Sequence, residues 1–147
     1  MEKAVTIENL HYAYSGEDTV LKGVSLDVPQ GAFTVVSGPT GAGKTTLMFS
    51  LNGIVPELTE GTISGRIHVM GKNVMASRVQ DMLSSIGVVM QDPETQVFGR
   101  TVQEDTEFGP RNLTLSREEI RRRVKTALAQ LGLQGFEHRV TDQLSGG

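Results

Sequence analysis

A glycine-rich segment that ends in a lysine and two threonines carries the clearest chemical signal in the sequence. It follows the pattern G-x-x-x-x-G-K-[ST] and reads Gly38-Pro39-Thr40-Gly41-Ala42-Gly43-Lys44-Thr45-Thr46. Glycines let the backbone adopt conformations that other residues avoid and let it approach a ligand closely. Successive N–H groups can then face an anion beside the positive end of a helix dipole. The segment therefore predicts a phosphate-binding loop, called the phosphate loop below.

Two side chains of the phosphate loop have specific predicted roles. Lys44 is expected to reach the β- and γ-phosphates of a nucleoside triphosphate, and Thr45 to offer its hydroxyl to Mg²⁺. The motif is convincing only between a strand and a helix. Residues 33–37 are apolar and β-branched and predict a buried strand, while residues 44–52 predict a helix that ends at Gly53. This context disfavours the alternative of a glycine-rich turn with a surface lysine.

Composition excludes several classes of function. The chain of 147 residues predicts one domain, and its net charge of −3 provides no general basic field, so nucleic acid is not an expected partner. The absence of cysteine excludes disulfides, thiolate metal sites and a cysteine nucleophile. The three histidines lie far apart, without the spacing of metal ligands. No signal peptide or stretch of ~20 apolar residues is evident, so we expect a cytoplasmic protein that reaches a membrane only through a partner.

Alternating apolar residues predict a small antiparallel sheet around the phosphate loop. Residues 4–14 and 19–28 alternate on either side of a turn at 15–18, as half-buried strands do. A further strand is expected around 63–69, with a hairpin turn at 71–73. Residues 77–85 predict a short helix, and the continuous apolar run 86–90 predicts a parallel core strand.

The remainder of the chain is predicted to be helical. Thr101 begins one capping box and Ser116 another, so helices should begin just after each, and Pro110 should end the first. The second helix has one apolar face and a predicted C-terminal cap at Gly132; the face consists of Ile120, Val124, Leu128 and Leu131. The arginines 121–123 fit a solvated helix face, balanced by neighbouring glutamates, better than a phosphate or RNA contact.

The order of these motifs resembles that of the ATP-binding subunits of ABC transporters. Leu144-Ser145-Gly146-Gly147 matches the start of the LSGGQ signature of that family. Gln91 follows the apolar run 86–90 at the place of the family's Q-loop glutamine, and Tyr14 lies where the family has an aromatic residue against adenine. The signature alone is a weak indication, but all motifs in the same order are strong, and the resemblance covers the whole chain.

The resemblance implies an α/β fold and a division of labour among these residues. The fold would be a P-loop NTPase (ABC ATPase) core with a small antiparallel β subdomain and a helical subdomain, incomplete at the C-terminus. Residues 1–90 would form the β subdomain and the core, and residues 91–147 the Q-loop and the helical subdomain. ATP and Mg²⁺ would be the cofactors.

The resemblance also implies specific contacts. Tyr14 would stack on adenine, unless it is a core tyrosine, and Gln91 would bind Mg²⁺ or orient water, unless it is a surface glutamine. With Lys44, Gln91 would be catalytic. Ser145, Gly146 and Gly147 would contact the γ-phosphate of ATP held by a second, identical or different, ATPase subunit.

A narrower resemblance is to the ATPases of cobalt/nickel and energy-coupling-factor importers. It depends on residues 91–98 and on residues 104–112, which contain Glu104-Asp105 and Phe108-Gly109-Pro110. It implies vitamin or transition-metal-ion import, with a transmembrane transporter subunit bound at about 91–112 and the ATPase peripheral on the inner face of the membrane. Phe98 and Phe108 belong to this candidate partner surface.

Parts of the family pattern find no counterpart in the sequence. The Walker B aspartate, the glutamate after it and the switch histidine would follow residue 147, so we expect this chain alone to bind nucleotide weakly and to hydrolyse it poorly. A sheet without their strands would leave an open apolar edge. One alternative is a truncated, non-catalytic nucleotide-binding or dimerisation module. ABC-type ATPases of DNA repair are less favoured, because heptads and cysteines are lacking.

Overall fold

The structure, a computed structural model, describes residues 2–16 and 18–144. The chain forms two compact units that divide between Val88 and Val89. The first unit contains a sheet and the phosphate loop, and the second is mainly helical. Each unit has a separate apolar core.

A four-stranded antiparallel sheet dominates the first unit, as the alternating pattern predicted. Its spatial order is β2-β1-β3-β4. The strands are β1 (Lys3–Tyr14), β2 (Thr19–Pro29), β3 (Gly61–Val69) and β4 (Lys72–Asn73). The long central strand β1 pairs with β2 on one side and with β3 on the other. Side chains from one face of these strands, including Ile7, Tyr12 and Ile67, form the buried core.

The helix predicted after the phosphate loop is present as α1 (Lys44–Leu51). Thr46, Leu47, Ser50 and Leu51 are buried on its inner side. Short helical turns follow it, at α2 (Ile54–Glu57), Val74–Ala76 and α3 (Val79–Met82). Because α1 packs into the core of the sheet, the carboxyl side of the phosphate loop is firmly anchored.

Two predicted core strands are not strands in the structure. Residues 33–37 and 86–90 are neither helical nor paired in a sheet. Phe33 is 94% exposed and Val35 is 73% exposed, so this run is not buried. A parallel strand depends on hydrogen bonds from neighbouring strands and on helices covering both faces. No segment among residues 2–16 and 18–144 pairs with either run, and the prediction of buried strands is therefore wrong for this structure.

The second unit contains two longer helices, α4 (Val102–Asn112) and α5 (Arg117–Gln130). The capping box at Thr101 is confirmed, because the Thr101 hydroxyl accepts the Glu104 amide at 3.2 Å and the Glu104 carboxylate accepts the Thr101 amide at 3.3 Å. Pro110 does not end α4 as predicted. Proline lacks an N–H donor, but its carbonyl can still accept a hydrogen bond. The Pro110 carbonyl accepts the amide of Leu113 at 3.2 Å, so the last turn continues past it.

Helix α5 confirms most of its predicted features. Ser116 accepts the Glu119 amide at 3.2 Å, but the Glu119 carboxylate binds Arg122 and Arg123 instead of returning to the cap. These hydrogen bonds, that from Arg122 first, lower the pKa of Glu119 to about 2. The arginine face is thus balanced by glutamate, as expected. Leu131 is 74% exposed, because α5 ends at Gln130, so its assignment to the apolar face is wrong.

Candidate functional site: the phosphate loop

The phosphate loop owes its shape to glycines in the left-handed region. Gly41 has φ 81° and Gly43 has φ 83°, values that strain any residue with a side chain. A Cβ on Gly43 would also lie 3.1 Å from side-chain atoms of Val20 and Leu21 on β2. Gly43 is the N-cap of α1, and it has no side chain with which to cap the first turn. The N–H groups at this helix end are therefore suited to bind an external anion.

Lys44 is the cation of the loop. Its Nζ donates to the carbonyl oxygens of Gly38 at 2.8 Å and Pro39 at 2.7 Å. These contacts hold the ammonium group across the loop rather than in open solvent. An ammonium group held beside a glycine-rich turn and a helix N-terminus is suited to bind a polyphosphate.

The two threonines after Lys44 differ in exposure. The Thr45 side chain is exposed, whereas Thr46 is buried and lies in the first turn of α1. Residues 2–16 and 18–144 contain no group of three or more histidine or acidic side chains that could hold a metal ion. These residues fit Mg²⁺ only together with a bound phosphate: phosphate oxygens would supply most of the ligands, and the Thr45 hydroxyl could supply one.

Tyr14 is connected to the phosphate loop through Thr46. The two hydroxyl oxygens are 3.0 Å apart, within hydrogen-bonding distance. The half-buried Tyr14 ring also meets the ring of Tyr12 edge to face, with centroids 4.8 Å apart. Tyr12 is fully buried and binds Thr59 and Glu60 through its hydroxyl. Tyr14 is therefore fixed at the end of β1 next to the helix that follows the loop, and its stacking on adenine stays a prediction.

Substitutions at Tyr14 separate its ring from its hydroxyl. Tyr14→Ala is expected to weaken ATP binding by roughly tenfold or more, because stacking of a base on an aromatic ring contributes about 1–3 kcal/mol. Tyr14→Phe keeps the ring and should bind ATP within about threefold of the wild type, because it removes only one hydrogen bond, between the Tyr14 and Thr46 hydroxyls. Titration with a fluorescent ATP analogue measures both. Equal losses in the two variants would show that the hydroxyl, not the ring, matters.

The roles of the remaining predicted site residues are not tested by the structure. Gln91 is in the second unit with an exposed side chain, and its role at the phosphate loop stays a prediction. Ser145, Gly146 and Gly147 lie outside the described residues. Sequence reasoning missed the bond between Tyr14 and Thr46, for which the only sequence signal is the position of Tyr14 at the end of a strand that borders the loop.

A second notable surface lies in the helical unit, where Phe98 and Phe108 were predicted to face a partner. Phe98 is 75% exposed and Phe108 is 55% exposed. Their ring centroids are 5.9 Å apart and the rings are tilted by 37°. Val97 beside them is exposed as well. We call Val97, Phe98 and Phe108 the aromatic surface. Among residues 2–16 and 18–144, we find no helix with the length and hydropathy of a membrane span.

Comparison with known proteins agrees with the geometry of the loop. The family model described as ABC transporter matches residues 21–147. A Methanosarcina mazei protein named as an ABC transporter ATP-binding protein is 41% identical over 144 residues, which are 97% of this chain and 25% of that protein. The energy-coupling factor transporter ATP-binding protein EcfA of Methanocaldococcus jannaschii is 37% identical over 97% of this chain and 50% of its own length.

A solved structure shows the same fold. CbiO1 from Clostridium perfringens, described as part of the ABC transporter complex cbiONQ, superposes with a TM-score of 0.83 at 35% identity and covers 99% of this chain. This chain spans 57% of that structure and between a quarter and a half of the two relatives. The overall architecture is thus the mixed α/β fold of ABC ATPases, as predicted. With its phosphate loop and a family match over most of its length, the chain belongs to the ABC transporter ATP-binding family.

Proposed function

We propose that this chain binds ATP with Mg²⁺ and, in a protein of the length of its relatives, hydrolyses it to drive import through a membrane transporter. The observation that carries the proposal is the phosphate loop itself. Left-handed glycines, an N-terminal helix end without a side-chain cap and the Lys44 ammonium group meet in one short segment. Together these groups select a polyphosphate anion over a neutral ligand.

Each group of the site has a distinct part in this proposal. Lys44 would exchange its two carbonyl partners for β- and γ-phosphate oxygens, and the α1 N-terminus would stabilise the same negative charge. Thr45 would hold the metal ion, which neutralises charge on the phosphates when bound. Tyr14 would position adenine, and Gln91 would complete the metal site or orient water. Ser145, Gly146 and Gly147 would bind the nucleotide of a second ATPase subunit.

The import role rests on the named relatives and on the second unit. EcfA is named as an energy-coupling factor transporter protein, and CbiO1 as part of an ABC transporter complex. We propose that residues 91–112, which include the exposed Phe98 and Phe108, bind a transmembrane subunit. The ATPase would then lie on the inner face of the membrane. Vitamins and transition-metal ions are the substrate classes that the resemblance implies.

Phosphate release tests the proposal against the alternative of a non-catalytic binding module. The chain ending at residue 147 should release phosphate from ATP at a rate near background. A chain extended to the length of the relatives should release it at a rate clearly above that background. The extended chain with Lys44→Ala controls for contaminating ATPases. Failure of the extended chain to release phosphate, with nucleotide still bound, would favour the binding module.

A further inference from the structure

Two neighbouring carboxylates in the first turn of α4 hold the backbone that precedes the helix. Asp105 Oδ1 accepts the amides of Phe98 and Gly99, each at 2.9 Å. Glu104 Oε2 accepts the next two amides, of Arg100 and Thr101, at 3.1 and 3.3 Å. Four successive N–H groups are thereby satisfied by side chains rather than by secondary structure. The backbone of residues 98–101 is thus held by side-chain hydrogen bonds, although it lies outside the helices and the named strands.

The contact between Gly99 and Asp105 leaves no room for a side chain. A Cβ on Gly99 would lie 2.2 Å from the Asp105 amide nitrogen and 2.5 Å from its Cα. From the other side, the Thr141 hydroxyl donates to the Gly99 carbonyl at 2.8 Å. The Gly99 backbone next to Phe98 is thus held through both its N–H and its carbonyl group.

Fixing this backbone has a visible result at the surface. Phe98 stands beside Phe108, which lies one turn further along α4 than Asp105, and both rings remain largely exposed. The apolar core of the second unit is formed by other residues, chiefly Val102, Ile120, Val124 and Leu128. The aromatic surface therefore exposes apolar side chains to solvent and contributes nothing to that core. Such exposed apolar residues are typical of a binding surface.

We propose that Asp105 is a positioning residue, which holds Phe98 against Phe108 so that the aromatic surface is preformed for an apolar segment of the transporter's transmembrane subunit. This inference rests on the proposed role of residues 91–112. Ordering flexible backbone on contact opposes binding through lost conformational entropy, so a preformed surface binds more tightly than one that must be ordered during docking. Without the Asp105 carboxylate, Phe98 and Gly99 would have to be ordered during docking.

Rebinding of the protein to stripped membranes tests this role. Vesicles are prepared from cells that natively make the transporter, and urea removes their peripheral ATPases while integral subunits stay. The ATPase extended to the length of its relatives is then titrated, with liposomes of the extracted lipids as a blank. Asp105→Ala should weaken rebinding about tenfold, by loss of the ordered backbone. Asp105→Asn keeps one acceptor oxygen and should restore most of the affinity.

Glu104→Ala is the matched control. Glu104 is not part of the aromatic surface proposed to make the contact, and the substitution removes two amide contacts from the same helix end but leaves Phe98 held. It should lose stability comparable to Asp105→Ala yet rebind within about twofold. Hydrogen exchange of the backbone amides should become faster at Phe98 and Gly99 in Asp105→Ala. In Glu104→Ala it should become faster at Arg100 and Thr101. Equal rebinding by Asp105→Ala and the wild type, or equal losses in both alanine variants, would overturn the positioning role. Normal rebinding of Phe98→Asp would instead overturn the docking surface itself.

Discussion

Replacement of Lys44 by alanine is expected to weaken ATP binding by about a hundredfold or more. The substitution removes the one ammonium group that the structure places across the phosphate loop. Hydrogen bonds from a charged donor contribute about 1.5–3 kcal/mol each, and Lys44 is predicted to reach two phosphates. A loss of ~3 kcal/mol corresponds to more than a factor of one hundred in the dissociation constant. Calorimetric titration of the extended chain with Mg²⁺ and ATP measures it.

Lys72→Ala provides the matched control for this change. Lys72 is an exposed lysine of the same unit and donates to the Asp81 carbonyl and the Ser84 hydroxyl. Its replacement by alanine therefore removes the same charge without changing the phosphate loop. Its ATP affinity should stay within about twofold of the wild type, as expected of a surface substitution. Unchanged ATP affinity in Lys44→Ala would contradict the assignment of the phosphate loop.

Replacement of Phe98 by aspartate is expected to uncouple the ATPase from the proposed membrane partner while sparing nucleotide binding. A buried aromatic anchor typically contributes 2 kcal/mol or more to an interface, and a carboxylate there would in addition be desolvated. Binding to stripped native membranes should therefore weaken by at least ~30-fold. Any stimulation of ATP hydrolysis by those membranes should be lost, whereas the affinity for ATP in solution should not change.

Leu131→Asp is the control for surface charge and lost apolar area. Leu131 is 74% exposed, almost the same as Phe98, and lies in the same unit outside residues 91–112. This variant should bind membranes like the wild type. If Phe98→Asp lost nucleotide affinity or unfolded the second unit, Phe98 would be a structural residue and the aromatic surface would not be a docking site.

Local patterns in the sequence predicted those elements that depend on local interactions. Alternation predicted strands β1 and β2 because each has one buried face and both lie in the same small sheet. Thr101 and Glu104 predicted the start of α4 because a capping box is complete within four residues. The prediction of a strand at residues 33–37 was wrong, because a continuous apolar run forms a strand only where other segments pair with it and cover it.

The candidate site shows the same division. The spacing of Gly41, Gly43 and Lys44 in the motif determines where the backbone can turn and where the ammonium group lies. The loop could therefore be predicted from the sequence. The role inferred for Asp105 could not be predicted in that way. Its acceptors serve backbone amides, which every residue possesses, so neither Phe98 nor Gly99 signals the contact in the sequence.

The phosphate loop is supported unequally at its two ends. Its outgoing end continues into α1, where Thr46, Leu47 and Ser50 are buried, whereas the incoming residues around Phe33 and Val35 are exposed. A bound triphosphate would therefore act as a second tether and join the incoming segment to the helix. Nucleotide binding would then stabilise the ordered form of this incoming segment. Saturating nucleotide should therefore raise the resistance of residues 32–40 to proteases more than that of the sheet.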